Sequence, residues 1–239
     1  MRPDALLIDV GGVLVLPDRS IVTKALLDDR IPHDPSRMDA AHYHAIHYAD
    51  RCDDEADGRS YGEVYRDAYL VAIGVAEPDL SSATAVLDGL FVQPSQQLWC
   101  QVIPGARETL RALVDAGYPI AIVSNADGTV EASLAKLAIC QSGPGPATSV
   151  GTIVDSTVVG FSKPDPRIFR HALALLGVRP ESSVFVGDSE RNDICGAERS
   201  GMQAVHVDPF RLCRRQGAHR HIRTLSELLP ILGVDERVT

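Results

Sequence analysis

Asp9 is the first residue of this chain whose surroundings suggest chemistry. The apolar run at residues 6–8 precedes it, and Gly11 and Gly12 follow. A buried strand that ends at Asp9 would present the carboxylate at the carboxyl edge of a sheet, where open α/β sheets bind ligands. The two glycines can adopt backbone conformations that let a ligand approach the main chain closely. Taken alone, this stretch fits a reactive loop and a simple capped strand end equally well.

Other polar groups stand where further predicted strands end. They are Ser124 and Asn125 after residues 120–123, Lys163 after the strand-like stretch at 152–159, and Asp188 after residues 183–187. The carboxyl ends of parallel strands lie at one edge of a sheet, so we expect these groups to meet Asp9 in a single cleft. Asp193 follows Asp188 closely and would lie beside it.

The acidic members of this set, Asp9, Asp188 and Asp193, indicate a metal site. Carboxylates brought together in a cleft repel one another and resist joint ionisation. A divalent cation would relieve that repulsion, and an all-oxygen ligand set suits Mg²⁺. Lys163 adds a positive charge, and Ser124 adds a hydroxyl donor. The set predicts binding of an anion bridged to a metal ion, for which a phosphate ester is the obvious candidate.

The elements that must position these residues follow an α/β pattern. From about residue 102, short apolar runs alternate with amphipathic helical segments, which predicts a doubly wound parallel sheet. Residues 17–95 instead show helical spacings punctuated by Pro and Gly, which predicts a helical insertion. The core would then consist of residues 1–16 and 96–239. The Gly- and Pro-rich segment at 140–149 is predicted to be an irregular surface loop.

Four short motifs occur in order along the chain. They are Asp9-x-Gly11-Gly12-Val13, the strand ending at Ser124-Asn125, Lys163-Pro164-Asp165-Pro166, and Gly187-Asp188 with Asp193. Together they resemble the motifs of the haloacid dehalogenase-like (HAD) hydrolase superfamily. The resemblance covers about residues 4–16 and 96–232. It implies a Rossmann-like core, and the helical insertion resembles the C1-type cap domain of subfamily I.

The resemblance implies a phosphatase that works through a covalent intermediate. Asp9 would be the nucleophile and form an aspartyl-phosphate, which water then hydrolyses. Asp9 and Asp188 would bind Mg²⁺, helped by the main-chain carbonyl of Gly11 and supported by Asp193. The substrate would be a small phosphorylated metabolite.

The same resemblance implies how the phosphate would be held. Ser124 and the backbone at Asn125 would bind phosphate oxygens, beside the loop of Gly11 and Gly12. Lys163 would neutralise the charge shared by the nucleophile and the phosphoryl group. Such electrostatic placement supplies most of the catalysis in phosphoryl transfer.

Gly11 departs from the family pattern. Phosphatases of this family usually carry a second Asp two residues after the nucleophile, as a general acid/base. Gly11 has no side chain, and the lost contribution is typically about 10²–10⁴-fold in rate. A slow enzyme, a substrate with a good leaving group, a proton carrier in the cap and lost catalysis all stay open as explanations.

Two alternatives to a phosphatase come from the same residues. Dehalogenases of the family also lack the second Asp, but they need no Mg²⁺ and carry Ser and Asn where this chain has Gly187-Asp188. The pair Asp188 and Asp193 therefore favours a metal-dependent phosphatase. A scaffold that binds a phosphorylated ligand or partner without turnover is the other alternative. Its one supporting feature is Gly11, and the retained carboxylates count against it.

The composition limits the kinds of partner and the cellular location that we expect. The 239 residues are 45% apolar with a net charge of −9, which argues against general nucleic-acid binding. A basic tract at 211–223 is interpreted as a solvated surface segment. The five cysteines lack CxxC spacing, which disfavours disulfides or a zinc site and favours free thiols in a reducing cytoplasm. No signal peptide or membrane span is visible, so a cytoplasmic protein is expected.

Some further residues have structural interpretations. Asp165, between two prolines, is predicted to cap a helix. His42, His44 and His47 lie on a predicted cap helix and are expected to pack or face solvent, although they are the nearest titratable candidates to replace the missing Asp. Of these three, His44 and His47 share a helix face.

Overall fold

The structure, a computed structural model, describes residues 2–52, 58–92 and 95–234. Its strands are β1 Ala5–Ile8, β2 Val15–Leu16, β3 Gln101–Val102, β4 Ile120–Ser124, β5 Cys140–Ser142, β6 Thr148–Val150, β7 Thr152–Asp155, β8 Ser183–Gly187, β9 Gln203–Val207 and β10 Arg220–Ile222. Its helices are α1 Arg19–Asp28, α2 Met38–Ala49, α3 Tyr61–Ala72, α4 Leu80–Val92, α5 Ser95–Leu98, α6 Ala106–Asp115, α7 Val130–Lys136, α8 Ser156–Val159, α9 Pro166–Leu176, α10 Cys195–Arg199 and α11 Leu228–Leu232.

The central sheet has six parallel strands in the order β10-β9-β8-β1-β4-β7. Strand β1 is buried on both faces, as expected for an uninterrupted apolar run in a parallel sheet. On one face Ile8 packs with Leu110 of α6 and Leu134 of α7, and on the other Leu7 packs with Phe169 of α9. Helices therefore cover both faces, and the predicted doubly wound α/β fold is confirmed.

Strand register brings the predicted motifs to one edge of this sheet. Ile8 pairs with Ile122 of β4 on one side and with Val186 of β8 on the other. The next polar residues along these three strands are Asp9, Ser124 and Asp188. The chain runs from β1 to the strands on either side of it, and such a switch point is where open α/β sheets form a ligand crevice.

Helices α1 to α5 lie between β2 and β3 and have a hydrophobic cluster of their own, which includes Leu26, Met38, Ala45, Tyr69 and Leu70. Strands β2 and β3 pair antiparallel, Val15 with Val102 and Leu16 with Gln101, so the chain leaves the core and returns beside the end of β1. Local signals fix the helix starts: Asp18 caps α1, and Ser60 with Glu63 forms a capping box at α3. The extent of the insertion as a unit, residues 17–95, stays a prediction.

The segment at 140–149 differs from its prediction. Instead of an irregular loop, β5 and β6 form a two-stranded parallel sheet, with Cys140 paired to Thr148 and Ser142 paired to Val150. The Gly-Pro repeats between these strands form only the connection. Val158 and Val159, interpreted as strand-like, end the short helix α8, which Asp155 caps and Gly160 terminates.

No helix in the described parts of the chain combines the length and the apolar character that crossing a bilayer requires.

Candidate active site

Lys163 lies at the centre of the candidate site. Its Nζ is 2.6 Å from Oδ1 of Asp9 and 2.7 Å from Oδ1 of Asp193, and the side chain is almost fully buried. Asn125 fixes the backbone of this lysine from both sides. Its Nδ2 donates to the Lys163 carbonyl at 2.9 Å, and its Oδ1 accepts from the Lys163 N–H at 2.8 Å. Asn125 therefore acts through Lys163 in this structure.

Asp193 shapes the turn that carries Asp188. Its Oδ2 accepts hydrogen bonds from the backbone N–H groups of Asp188, at 3.1 Å, and Ser189, at 3.0 Å. The π-helical turn Glu190–Ile194 brings the carboxylate back under that loop. A Cβ at Gly187 would lie 2.4 Å from Asp193, so only glycine fits at this strand end. The motif residues at 187, 188 and 193 thus form one local structure.

Asp9, Asp188 and Asp193 converge as predicted, with carboxylate oxygens within 4.8 Å of one another. Burial and the neighbouring Asp193 raise the pKa of Asp9 to about 8, against the opposing charge of Lys163. Burial and Asp193 also hold the pKa of Asp188 well above its usual range. Burial would lower the pKa of Lys163, but attraction to Asp193 and Asp9 outweighs it and raises that pKa.

This donor set fits a divalent cation. Three buried carboxylates face one ammonium group, so the ionised cluster carries excess negative charge in a poorly solvated place. Oxygen donors at this spacing are those that Mg²⁺ prefers. Burial and the repulsion from Asp193 both raise the pKa of Asp9 and Asp188, and a bound cation would offset both effects.

His42 of α2 reaches this cluster from the helical region. Its Nε2 is 2.9 Å from Oδ2 of Asp188, and its Nδ1 is 3.0 Å from the Tyr65 hydroxyl of α3. Burial lowers the pKa of His42 to about 3, so the ring is neutral near pH 7. The simplest assignment of protons has Tyr65 donating to Nδ1 and the Nε2–H donating to Asp188. His42 thereby orients one oxygen of Asp188.

The two glycines after Asp9 have different surroundings. Gly12 has a left-handed backbone with φ of +66°, and a Cβ there would lie 2.1 Å from Oδ2 of Asp188. Its carbonyl accepts a hydrogen bond from the Tyr43 hydroxyl at 2.8 Å. At Gly11 a Cβ would lie 3.3 Å from the indole of Trp99. The Trp99 ring therefore lies where a side chain at position 11 would begin.

A cavity of about 250 Å³ opens above these residues. Its floor includes Asp9, Ser124, Lys163 and Asp188. Its walls are largely apolar and aromatic, formed by Ile46, Tyr61, Tyr65, Trp99, Val130 and Leu134. Among the described residues that line the cavity, Lys163 is the one lysine or arginine. The cavity therefore offers one place for an anionic group and an apolar space next to it.

A family model described as haloacid dehalogenase-like hydrolase matches residues 3–201. The match covers well over half of the sequence and includes all four motifs. The chain belongs to the haloacid dehalogenase-like hydrolase family.

Similar proteins include phosphatases. Haloacid dehalogenase-like hydrolase domain-containing protein 3 of Mus musculus is 34% identical over 164 residues, which are 66% of this chain and 62% of the mouse protein. Phosphoserine phosphatase of Thermus thermophilus is 37% identical over 105 residues, 44% of this chain and 40% of that enzyme. The matches thus span less than two thirds of either relative. A HAD phosphatase structure from Thermococcus onnurineus aligns over 98% of this chain and 99% of its own, with a TM-score of 0.59 and 25% identity.

The family match includes the motif positions. The contacts around those positions come from the fold. Asp50, at the end of α2, accepts hydrogen bonds from Ser189 Oγ at 2.6 Å, from the Glu190 N–H at 2.6 Å and from the Tyr61 hydroxyl at 2.9 Å. It joins the helical region to the loop after Asp188. No motif marks Asp50, so the sequence offered no signal for it.

The three histidines of α2 have different surroundings in the structure. His42 is buried at Asp188, whereas His44 is exposed beside Phe210 and His47 lies against Arg51. Packing or solvent exposure was expected for all three. His42 packs against Tyr65 and Trp99 and in addition contacts Asp188, which the sequence did not predict. Asp165 caps α9 as predicted, since its side chain accepts from the Arg167 N–H at 2.9 Å.

Proposed function

We propose that this hydrolase is a magnesium-dependent phosphatase that removes the phosphoryl group from a small monophosphate ester through an aspartyl-phosphate at Asp9. The observation that carries the proposal is the buried cluster of Asp9, Lys163, Asp188 and Asp193 on the cavity floor. The residues at 17–95 would act as the cap that closes over it. The phosphatase relatives support the same reaction type.

In the proposed reaction, an oxygen of Asp9 attacks phosphorus and the bond from phosphorus to the ester oxygen breaks. Lys163 holds Asp9 in place and offsets negative charge on the phosphoryl oxygens, with Ser124 and the backbone at Asn125 as further donors. Water then cleaves the aspartyl-phosphate and restores Asp9. Mg²⁺, held by Asp9, Asp188 and the Gly11 carbonyl with support from Asp193, supplies further positive charge when bound.

The leaving alcohol needs a proton, and Gly11 cannot supply one. Trp99 takes the adjoining space, and His42 is engaged with Asp188 and Tyr65. The proposed enzyme therefore depends strongly on the leaving group. Esters of acidic alcohols, such as aryl phosphates, should turn over faster than alkyl phosphates, by up to the roughly 10²–10⁴-fold that a general acid normally contributes.

The cavity also supports a substrate class. An apolar or aromatic alcohol would contact Tyr61, Tyr65 and Leu134, whereas a carboxylate or second phosphate would find no lysine or arginine among the described lining residues besides Lys163. Burying an unpaired charge there costs several kcal/mol in order of magnitude. We therefore propose that monophosphate esters whose alcohol part carries no charge are preferred over phosphoserine and over bisphosphates.

The test is phosphate release from a matched panel of an aryl phosphate, an alkyl phosphate, phosphoserine and a sugar bisphosphate, with Mg²⁺ and with chelator. We expect magnesium-dependent turnover to fall from the aryl to the alkyl phosphate and then to phosphoserine and the bisphosphate, and to be lost in Asp9→Asn. Asp115→Asn, at an exposed helix end, is the control and should match the wild type. Full activity of Asp9→Asn, or activity indifferent to chelator, would contradict the proposal. Metal-free halide release from 2-haloacids would point to the dehalogenase alternative.

A further inference from the structure

A second cluster of metal-binding side chains lies outside the candidate active site. It consists of His206 on β9, Cys213 in the loop that follows, His219 just before β10, and His221 within β10. One nitrogen or sulfur atom from each lies within 4.8 Å of the others. His206 and His221 are register partners on neighbouring strands, so the sheet itself places two of the four rings side by side.

Two distances within the cluster are close to those of a tetrahedral zinc site. Nδ1 of His206 is 3.3 Å from Nε2 of His219, and Sγ of Cys213 is 3.8 Å from the same nitrogen. Zinc bonds of about 2.0–2.1 Å to nitrogen and about 2.3 Å to sulfur give tetrahedral ligand-to-ligand edges of roughly 3.3–3.6 Å. The pairs are therefore close to the spacing that one shared ion would impose.

The hydrogen bonds of the imidazole rings also favour a shared metal ion. Nε2 of His206 lies 2.9 Å from the Asp188 carbonyl and must donate to it, so Nδ1 presents its lone pair to the cluster. Nε2 of His221, the ring nitrogen that does not approach Asp208, is buried without a hydrogen-bond partner. A buried polar nitrogen that lacks a partner destabilises the folded protein. A metal ion would use the lone pairs that face inward.

Carboxylates stand behind the rings, as they commonly do at zinc sites. Nδ1 of His221 is 3.5 Å from Oδ2 of Asp208, and Nδ1 of His219 is 4.0 Å from Oε1 of Glu198. Carboxylates in these places orient imidazole ligands and raise their basicity. Asp208 also accepts from the Cys213 N–H at 3.1 Å, which fixes the start of the loop that carries the thiol.

Without a metal, two of the imidazoles and the thiol are uncharged near pH 7. Burial and the neighbouring histidines lower the pKa of His219 to about 4, and burial lowers that of His206, so these rings are neutral near pH 7. Burial raises the pKa of the Cys213 thiol to about 11, so without a metal it keeps its proton. Coordination would replace that proton with the metal and release it to solvent.

We propose that His206, Cys213, His219 and His221 form a closed structural site for Zn²⁺. One thiolate and three imidazoles are the ligand types that Zn²⁺ selects and Mg²⁺ does not. The ion would fasten the loop at 208–219 between β9 and β10, and hold His206 against the Asp188 carbonyl. This inference does not depend on the phosphatase proposal.

The direct test is zinc uptake by the full chain after chelator stripping. Zn²⁺ is titrated against a chromophoric zinc chelator with Mg²⁺ in excess, so that the carboxylate site does not contribute. We expect one equivalent of Zn²⁺ to bind, and a rise in Tm of roughly 5–10 °C when free Zn²⁺ is about 100 times Kd. Absence of uptake by the wild type would overturn the proposal.

Substitutions of single ligands test which residues bind the zinc ion. Cys213→Ser and His219→Gln should each weaken zinc binding by more than 100-fold. Cys195→Ser is the matched control, because its part-buried thiol contacts Arg215 at 3.4 Å but lies outside the cluster. It should bind as the wild type does. Equal weakening in Cys195→Ser and Cys213→Ser would overturn the assignment.

A second measurement needs no variant. Co²⁺ bound to the stripped wild type in excess Mg²⁺ should show the intense visible bands of a tetrahedral site and a sulfur-to-cobalt charge-transfer band. Weak octahedral bands without charge transfer would contradict a site that includes Cys213. This result decides the proposal even where a ligand variant does not fold.

Discussion

At the scale of single residues, a substitution at Gly12 tests whether a side chain at this position would clash with the site. We predict that Gly12→Ala lowers kcat/KM by at least about 100-fold, because a Cβ would lie 2.1 Å from Oδ2 of Asp188 and 2.6 Å from Nε2 of His42. Displacing a catalytic group by about 1 Å can cost that factor. Steady-state kinetics and thermal unfolding measure the effect.

Gly105→Ala is the matched control for that variant. Gly105 has a φ of +81°, similar to Gly12, but a Cβ there meets no atom within 4 Å. It should therefore show only the strain of a left-handed alanine, roughly 1–2 kcal/mol, with unchanged kcat. Equal loss of activity in both variants, or none in Gly12→Ala, would show that the close approach to Asp188 does not matter.

A second prediction for single residues concerns Gly11 and its neighbour Trp99. Gly11→Asp alone should raise the rate on an alkyl phosphate by less than about 10-fold, because the new Cβ would lie 3.3 Å from the Trp99 ring. With Trp99→Leu in addition, the carboxyl group gains room to act as a general acid. The rate should then rise further towards the 10²–10⁴-fold expected of that catalysis.

Kinetics of both single variants and the double variant on aryl and alkyl phosphates test this coupling. The gain should be largest for the alkyl ester, whose leaving group needs the proton most. A full gain in Gly11→Asp alone would mean that Trp99 gives way easily. No gain in the double variant would mean that the leaving group obtains its proton elsewhere.

The sequence predicted which motif residues lie in the site. It did not predict which residues of other elements contact them. Asp9, Lys163 and Asp188 were expected to converge because strand ends of a parallel sheet share an edge. The spacing of α2 paired His44 with His47, yet His42 is the histidine that reaches Asp188. His42 lies on the buried face of α2 with Met38 and Ala45, at spacings that helical periodicity could have indicated. Its contact with Asp188 depends on how α2 packs against the sheet, which periodicity does not show.

At the scale of elements, Asp50 links α2 to the loop that carries Asp188. Three donors, from Tyr61, Ser189 and Glu190, point at its carboxylate. We predict that Asp50→Ala lowers the free energy of unfolding by about 1–3 kcal/mol, because it leaves buried donors unpaired. The same change should raise KM, since it loosens the contact between the helical region and the cavity floor.

Asp34→Ala provides the comparison for Asp50. Asp34 is exposed and caps the short 3₁₀ turn at Pro35–Arg37, within the helical region but away from the cavity. Its loss should lower the free energy of unfolding only slightly, with no change in KM. Denaturant unfolding and steady-state kinetics measure both variants. Unchanged KM in Asp50→Ala would show that the link to the Ser189 loop does not affect substrate binding.

Apart from β10, the strands of the central sheet were predictable because each is an apolar run that stops at a polar residue. Two segments were not. In 140–149, β5 and β6 pair across the Gly-Pro connection, a contact that composition does not reveal. In the basic tract at 211–223, interpreted as solvated surface, β10 joins the sheet edge and turns His221 towards His206.

At the scale of the whole molecule, the strand order explains why distant motifs meet. Strand β1 lies between β4 and β8, so residues near positions 9, 124 and 188 converge without any local signal beyond strand polarity. The same order places β9 beside β8, which brings His206 to the back of the Asp188 loop. The cysteine spacing disfavoured a zinc site, but the candidate ligands come from β9, a loop and β10, and a local motif search does not assemble them.

The central claim is that Asp9 becomes phosphorylated during turnover. The most direct measurement is acid quench of a rapid reaction between the magnesium-loaded enzyme and an aryl phosphate, followed by mass spectrometry of the peptides. We predict the mass of one phosphoryl group on Asp9 within the first turnover, its decay as phosphate is released, and its absence in Asp9→Asn. A peptide that stays unmodified while phosphate is released, or a phosphoryl group on another residue, would contradict the account.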